Sequence, residues 1–241
     1  SIAGGLLRLD EQKAQARQSW KGEAKVREKQ VYESLKSLQV RFVGYDAASI
    51  SDAEVLALFR AGRPAEEIRE GDEAEVVLDR TPFYAEMGGQ VGDSGVLKNA
   101  RFSAVVETTV APIPDVISHK VKVLAGALRT GDRVEGAYDA PRRNAIRRNH
   151  TATHLLHAAL RQVLGDHVKQ AGSLVSPAKL RFDFTHFAAL GREEIVRIEA
   201  LVNERIWADI PVQTRVTSLD EGIREGATAI FEEKYGERVR V

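Results

Sequence analysis

Between residues 40 and 138 the sequence alternates short apolar runs with turn residues at close intervals. The runs are rich in valine, isoleucine and phenylalanine, as in EAEVVLD, RFSAVVETTV, ISHKVKVL and DRVEGAY. The turn residues between them include Gly71-Asp72, Gly88-Gly89, Gly95, Pro112, Pro114 and Gly131-Asp132. Short strands with frequent turns are typical of a small antiparallel β-barrel. The run DAEVLALF fits a helix or a strand, and its setting favours a strand.

Beyond Pro141 the character of the sequence changes, and the rest of the chain predicts the order α-β-β-α-β-α-β. The helix that carries three histidines ends near Gly165, and the strands GSLVS and LRFDF follow it. The later elements are the amphipathic helix REEIVRIEALVNERIWADI, the strand PVQTRVTSL, the short helix LDEGIREGATAIF and the strand ERVRV. This order indicates an α+β fold class. The predicted domains are a helical segment at 1–37, a β-barrel at 38–140 and an α+β domain at 141–241.

The composition excludes several classes of protein. The chain has 241 residues, enough for two domains with cores of their own. No apolar run is long enough for a membrane span, and the N-terminus becomes charged too soon for a signal peptide, so we expect a cytoplasmic protein. The 35 basic and 35 acidic residues balance, so net charge does not indicate a nucleic-acid partner. Cysteine is absent, which excludes disulfides and the commonest soft zinc ligand.

The predicted helix carries His150, His154 and His157, four and three residues apart. On a helix they fall within about 60° of one another and face away from the apolar stripe. His150 and His154 form a candidate metal pair, but Thr151 replaces the glutamate of the metalloprotease motif, so peptidase chemistry is not expected. Two histidines supply half of a zinc shell. Conceivable further ligands, none at a diagnostic spacing, are His119, His167, Asp183 and His186.

Three other patterns are candidates for function. Four arginines with no acid among them lie in the seven residues immediately before the predicted histidine helix, namely Arg142, Arg143, Arg147 and Arg148. They form either a solvated basic turn or a contact for an anionic substrate. The segment RTPFYAEMGGQVGDSG fits neither the dinucleotide fingerprint nor the phosphate loop, so its glycines either form tight turns or let the backbone approach a ligand. In LRFDF, alternation places the phenylalanines in the core and Arg181 and Asp183 together on the other face.

Four segments together resemble the editing region of alanyl-tRNA synthetase, which free-standing alanyl-editing proteins share. They are RTPFYAEMGGQVGDSG, RNHTATHLLHAALRQVLGDHVKQAGSLV, LRFDFTH and EEKYGERVRV. The resemblance therefore runs through nearly all of residues 38–241. The basic lead-in of residues 1–36 resembles the helical linker from the synthetase's tRNA-recognition part, which free-standing editors are not expected to carry. We therefore interpret the chain as a fragment of the synthetase without its aminoacylation domain.

This resemblance implies an elongation-factor-like β-barrel, followed by an α+β editing domain related to that of threonyl-tRNA synthetases. The implied activity is zinc-assisted hydrolysis of the ester in mischarged Ser-tRNA(Ala) and Gly-tRNA(Ala). By the same resemblance, His150 and His154 match two zinc ligands. The implied catalytic residues that line the amino-acid pocket are Thr153, Gln170 and Ser173. Gly88, Gly89, Arg181 and Asp183 also belong to the implied pocket, and the four arginines would contact acceptor-end phosphates of tRNA(Ala).

The metal site departs from the family pattern. There the second pair of zinc ligands comes from a Cys-x-x-x-His motif that would follow Val241, and this chain has no cysteine. The expected Zn²⁺ site is thus an incomplete two-histidine site, which truncation explains better than divergence. The alternative function is a non-catalytic module that binds the tRNA acceptor end, with the rest of the synthetase as a further partner. The residues leave open whether zinc ionises a water or anchors the substrate.

Overall fold

The computed structural model describes residues 32–33, 35–36, 40–227 and 237–241. The chain divides into two compact units, Ser1–Ile146 and Arg147–Val241. The strands of the first unit are β1 (Arg41–Phe42), β2 (Ser49–Arg60), β3 (Arg63–Ala65), β4 (Glu67–Arg69), β5 (Glu73–Leu78), β6 (Arg80–Thr81), β7 (Gly95–Asn99), β8 (Phe102–Ile113), β9 (Val116–Arg129) and β10 (Arg133–Tyr138). Helix α1 (Ala140–Leu164) begins in this unit and ends in the second. The second unit continues with β11 (Gln170–Val175), β12 (Leu180–Phe184), α2 (Arg192–Trp207), β13 (Val216–Ser218), α3 (Leu219–Arg224) and β14 (Arg238–Arg240).

Six strands of the first unit close into an antiparallel barrel. Neighbouring strands follow the order β10-β7-β8-β9-β5-β2, and β2 pairs in turn with β10. Gly136 of β10 lies at this closure, opposite Leu97 of β7 on one side and Ile50 of β2 on the other. The barrel predicted from the turn spacing is therefore confirmed. The run DAEVLALF lies within β2, so its prediction as a strand is also confirmed.

Apolar side chains that alternate along the strands fill the barrel. In β9, for example, Val121 and Val123 are buried in the main core, and the residues on either side of each are exposed. A period of two directs one face of a strand towards the core. A second cluster contains Tyr32 and Leu35, which pack with Phe59. These two residues belong to the predicted N-terminal helical segment, most of which lies outside the described residues.

Helix α1 begins earlier than the sequence predicted. The backbone N–H of Arg142 donates to Oδ1 of Asp139 over 3.0 Å, so Asp139 caps the helix. Pro141 fits the first turn because backbone N–H groups there have no partner within the helix. The four arginines therefore lie inside α1, and the expectation of a basic turn before the helix is wrong. At the other end Gly165 has a φ of +113°, as expected of a glycine that follows a helix.

In the second unit, the end of α1 packs with α2 and the β11–β12 hairpin. Ala159, Leu160, Val168 and Ile198 form the buried core of this unit. The helices and strands follow one another in the predicted order. The apolar stripe predicted for α2 and the residues after it is only partly buried, because three of its isoleucines are at least half exposed: Ile195, Ile206 and Ile210. Within the described ranges, no helix has both the length and the apolar character needed to cross a membrane.

Candidate functional site

Two histidines of α1 lie side by side in the second unit. The ring centroids of His150 and His154 are 5.1 Å apart and the ring planes differ by 16°, so the imidazoles stack. This arrangement is expected of residues four apart on one face of a helix. His150 is half-buried and His154 is exposed. A ligand that approaches this part of α1 from outside can therefore reach the pair.

The surroundings of the two imidazoles favour their neutral form. Partial burial lowers the pKa of His150, and the adjacent His154 lowers it further. Partial burial also lowers the pKa of His154, with an additional contribution from His157. A lowered pKa keeps a ring nitrogen unprotonated at neutral pH, and this is the form that binds a metal or accepts a proton.

A zinc site needs more donors than this pair provides. Among the described residues, no group of three or more His, Cys, Asp or Glu side chains could hold a metal ion. Nε2 of His167 lies 2.9 Å from Nδ1 of His186, so these two histidines bond to each other. His119 is fully buried in the first unit. The stacked pair thus has the right donor chemistry for zinc but fills only two of its four positions.

The three predicted catalytic residues lie on α1 and β11. Thr153 is buried, and its Oγ1 donates to the backbone carbonyl of Asn149 over 2.8 Å. Nε2 of Gln170 donates to Oγ of Ser173 over 3.2 Å, so the structure brings these two residues together. The bond to Asn149 fixes the direction of the Thr153 hydroxyl proton and leaves the oxygen able to accept a hydrogen bond.

His157 lies closer to the core than the sequence predicted. It is only 9% exposed, and its ring centroid is 5.1 Å from that of Phe182. Phe182 pairs with Ser173 in the hairpin register, so the two side chains share one face of the hairpin. His157 lies off the apolar stripe of α1, as its spacing predicted, yet it is buried because β12 packs against this part of the helix. Sequence reasoning assigned neither His157 nor Phe182 to the site.

Arg181 and Asp183 lie on the other face of the hairpin. Nε of Arg181 is 3.1 Å from Oδ2 of Asp183, so the two side chains pair with each other. Phe182 and Phe184 pack against the core of the second unit, as the alternation predicted. The same alternation turns Arg181 and Asp183 away from the face that carries Ser173. The structure thus separates this ion pair from the other predicted pocket residues of the second unit.

The predicted glycine pair forms a tight turn in the first unit. Met87 and Gln90 exchange backbone hydrogen bonds of 3.2 and 3.0 Å. Between them, Gly88 and Gly89 have φ values of +61° and +85°. A two-residue turn with two positive φ values favours glycine because side chains are strained in that region. The turn accounts for both glycines, and their place in the amino-acid pocket stays a prediction.

Arg143 forms a buried ion pair inside the first unit. Its Nε lies 2.8 and 2.7 Å from the two carboxylate oxygens of Asp93, and an Nη nitrogen also contacts this carboxylate. The guanidinium carbon is 4.5 Å from the ring centroid of Tyr138. Both partners of the ion pair are buried. Asp93 therefore already neutralises the charge of Arg143 within the protein, and the contact of Arg143 with a tRNA phosphate stays a prediction.

The remaining three arginines of α1 differ in their availability. Arg142 is half-buried, and its Nη1 donates to the backbone carbonyl of Gly92 over 2.9 Å. Arg147 and Arg148 are exposed in the second unit. Exposed guanidinium groups can reach a phosphate without first breaking an internal bond. Of the four predicted tRNA-binding arginines, these last two are the most accessible.

The family model and the individual relatives that match this chain all belong to tRNA synthetases. Residues 4–142 match the family model described as tRNA synthetases class II (A). The alanine–tRNA ligase of Fervidobacterium nodosum is 47% identical over 234 residues, which is 97% of this chain and 26% of the relative. That of Thermus thermophilus is 50% identical over 237 residues, which is 97% of this chain and 27% of the relative. That of Thermotoga maritima is 50% identical over 206 residues, which is 86% of this chain and 24% of the relative.

The two kinds of match cover different parts of the chain. The family model matches more than half of it, and the similarity to alanine–tRNA ligases extends through both units. The chain spans about a quarter of the length of these relatives. It is therefore a member of the class II (A) tRNA synthetase family that is about half identical to alanine–tRNA ligases over nearly its whole length.

Proposed function

We propose that this chain is the editing region of an alanine–tRNA ligase and hydrolyses the ester of Ser-tRNA(Ala) and Gly-tRNA(Ala). The supporting observation is the group of polar side chains on α1 and β11, in a chain about half identical to alanine–tRNA ligases. The proposal includes an elongation-factor-like barrel, an editing domain related to that of threonyl-tRNA synthetases, and a cytoplasmic location. Its partners are the acceptor end of tRNA(Ala) and the rest of the synthetase.

Selectivity in such a site depends on the serine hydroxyl. Alanine is smaller than serine, so a pocket that accepts serine cannot exclude alanine by size. It can discriminate only if its polar groups bond the hydroxyl and are left without a partner when alanine enters. Thr153, Gln170 and Ser173 carry suitable donors and acceptors. Glycine has no hydroxyl either, so hydroxyl recognition does not account for cleavage of the glycyl ester, and we expect this ester to be the poorer substrate.

The proposed reaction is attack of water on the carbonyl carbon of an ester that is already activated. The water oxygen bonds to that carbon and the ester C–O bond breaks, which releases the amino acid and leaves a hydroxyl on the terminal ribose. A neutral histidine of the stacked pair, or a hydroxyl of the tRNA, takes the proton from water, and the ribose oxygen receives a proton. Positioning of the water and stabilisation of the developing oxyanion are the main tasks of the protein.

The metal part of the proposal concerns only two residues. We assign His150 and His154 as two of the ligands of a zinc ion. Zinc at this pair would either ionise a water or anchor the substrate. Because the described residues do not complete the zinc shell, the reaction above does not depend on the metal at any step.

Phosphate contacts hold the tRNA in this proposal. Arg147 and Arg148 are exposed, and Arg142 is half-buried. Guanidinium groups bind phosphates without reading sequence, so we expect affinity for tRNA that falls steeply with salt. Such binding would also occur in a non-catalytic module, so hydrolysis must be measured separately.

The test is hydrolysis of seryl, glycyl and alanyl esters on the same tRNA by the 241-residue chain, with and without Zn²⁺. We expect cleavage of the seryl ester well above background and no cleavage of the alanyl ester. Loss of cleavage in His154→Ala would assign the proton transfer to the stacked pair, and unchanged cleavage would assign it to the tRNA hydroxyl. Gln162→Ala, an exposed position on the same helix, should not change cleavage. Binding of tRNA without cleavage of any ester would contradict the proposal and support the non-catalytic module.

A further inference from the structure

One ring nitrogen of His157 has no hydrogen-bond partner in the part of the chain that the structure describes. The side chain is only 9% exposed, and Nε2 is buried without a partner among the described residues. A buried polar atom in this state destabilises a folded protein by about 1–3 kcal/mol, so native structures rarely contain one without a reason. One such reason is that the atom forms its hydrogen bond only when a ligand is bound.

The surroundings of His157 connect it to the predicted amino-acid pocket. Its ring packs against Phe182, and Phe182 lies opposite Ser173 in the hairpin. Ser173 in turn accepts the hydrogen bond from Gln170. On α1, Thr153 lies four residues before His157 and therefore on the same face, one turn away. Phe182 thus links the ring of His157 to the strand that carries Ser173, and α1 links it to Thr153.

The nearby polar side chains bond to other groups instead of this nitrogen. Thr153 donates its hydroxyl proton to the carbonyl of Asn149, and Gln170 donates to Ser173. The remaining atoms around the ring include those of Phe182, which offers no hydrogen-bonding group. Nε of Arg161, one turn further along α1, is also buried without a partner among the described residues, so these two groups do not satisfy each other. A new partner for Nε2 must therefore bring its own polar group. Because an imidazole nitrogen can donate or accept, a hydroxyl is suitable in either tautomer.

We infer that Nε2 of His157 hydrogen-bonds the side-chain hydroxyl of serine esterified to tRNA and so determines specificity for serine over alanine. The inference rests on the proposed function. Nε2 has no contact with solvent, so the surrounding side chains must move before the hydroxyl can reach it. When serine binds, the new hydrogen bond offsets the free-energy cost of that movement. Alanine presents a methyl group and leaves the nitrogen as unbonded as before.

The test measures binding, so that it does not require turnover. The probes are the seryl and alanyl amides of 3′-amino-3′-deoxyadenosine, which mimic the end of a charged tRNA and resist hydrolysis. For the 241-residue chain we expect calorimetry to give at least about tenfold tighter binding of the seryl amide than of the alanyl amide. In ¹⁵N spectra, the Nε2 resonance of His157 should shift with the seryl amide and not with the alanyl amide.

Two variants of similar volume separate recognition from packing. His157→Leu removes the nitrogen and should bring the seryl-to-alanyl affinity ratio to about one, with the alanyl affinity unchanged and stability equal or higher. His157→Gln places a polar atom near the position of Nε2 and should restore most of the ratio.

Three results would overturn the inference. They are equal binding of both amides by the unaltered chain, an unchanged ratio in His157→Leu, and an equal loss of both affinities in that variant. Each of them leaves the proposed hydrolysis to be judged by the tRNA assay. Hydrolysis of no ester in that assay, together with binding of neither amide, would overturn the proposed function as well.

Discussion

The two units bury histidines in different ways. In the first unit His119 is fully buried, and both of its ring nitrogens are bonded, to the carbonyl of Val76 at 2.8 Å and to Oγ1 of Thr81 at 2.7 Å. In the second unit His157 is almost as buried, yet Nε2 has no partner among the described residues. The first arrangement is that of a structural core, and the second is the one from which we infer a ligand contact. Burial alone therefore does not distinguish structural from functional histidines.

The bonds of His119 also fix its protonation. A carbonyl can only accept, so Nδ1 carries the proton and Nε2 accepts the hydroxyl proton of Thr81. Oγ1 of Thr81 in turn accepts from the backbone N–H of Phe83 over 3.1 Å. The chain of bonds is complete when the imidazole is neutral. Burial accordingly lowers the pKa of His119 from 6.5 to about 4, although the bond to Val76 opposes the shift.

The largest effect is expected from the buried ion pair of the first unit. Asp93→Ala leaves the guanidinium of Arg143 buried without its counter-charge, and it also removes the acceptor for the backbone N–H of Tyr84. Removing one partner of a buried pair lowers the free energy of unfolding by about 3–5 kcal/mol. Urea denaturation at pH 7 measures this loss.

An exposed pair in the same barrel provides the control. Lys98 and Glu135 are 3.5 Å apart on neighbouring strands and are both well exposed. Lys98→Ala should change the free energy of unfolding by less than about 1 kcal/mol. Equal effects of Asp93→Ala and Lys98→Ala would show that the Arg143–Asp93 pair has no special structural role.

The next effect is a loss of stability in acid, caused by His119. Above pH 6.5 the imidazole is neutral in both the folded and the unfolded chain, so its contribution is fully present. Between pH 6.5 and about 4 only the unfolded chain binds the proton, and stability falls by about 3 kcal/mol. Denaturation of the chain and of His119→Gln at pH 7 and pH 4.5 isolates this contribution. An NMR titration that placed the pKa of His119 near 6.5 would contradict the assignment.

The sequence could predict the features that depend on local signals, but not those that depend on contacts between distant residues. The barrel and the order of elements in the second unit follow from local signals, namely alternation, helical period and turn residues. The stacked pair His150 and His154 also follows, because spacing on one helix fixes it. Arg143 could not be told from the other arginines, since its partner Asp93 lies 50 residues away in the chain. The helix angle likewise groups His157 with the other two histidines, and only the packing of β12 shows that it is buried.

A smaller effect is expected at the glycine turn. A Cβ added at Gly88 would meet no atom within 4 Å, so the strain of its positive φ is the main penalty. Gly88→Ala should lower the free energy of unfolding by about 1 kcal/mol. Gly71→Ala is a matched control, because Gly71 also has a positive φ and open space. If Gly88→Ala alone also abolished ester hydrolysis at equal stability, the turn would belong to the site as the resemblance implied.

The smallest expected effect is on tRNA affinity, and it should differ between exposed and buried arginines. Arg147→Ala and Arg148→Ala should each weaken tRNA binding a few-fold and reduce the slope of log affinity against log salt by about 0.7–0.9, one phosphate contact each. Arg197→Ala, at an exposed position of α2, should not change that slope. Arg143→Ala should lower the free energy of unfolding. For the protein that remains folded, the slope of log tRNA affinity against log salt should not change, because the charge of Arg143 is already paired with Asp93. A reduced slope in Arg143→Ala would mean that the ion pair opens when tRNA binds, and the contrast between the two kinds of arginine would then be wrong.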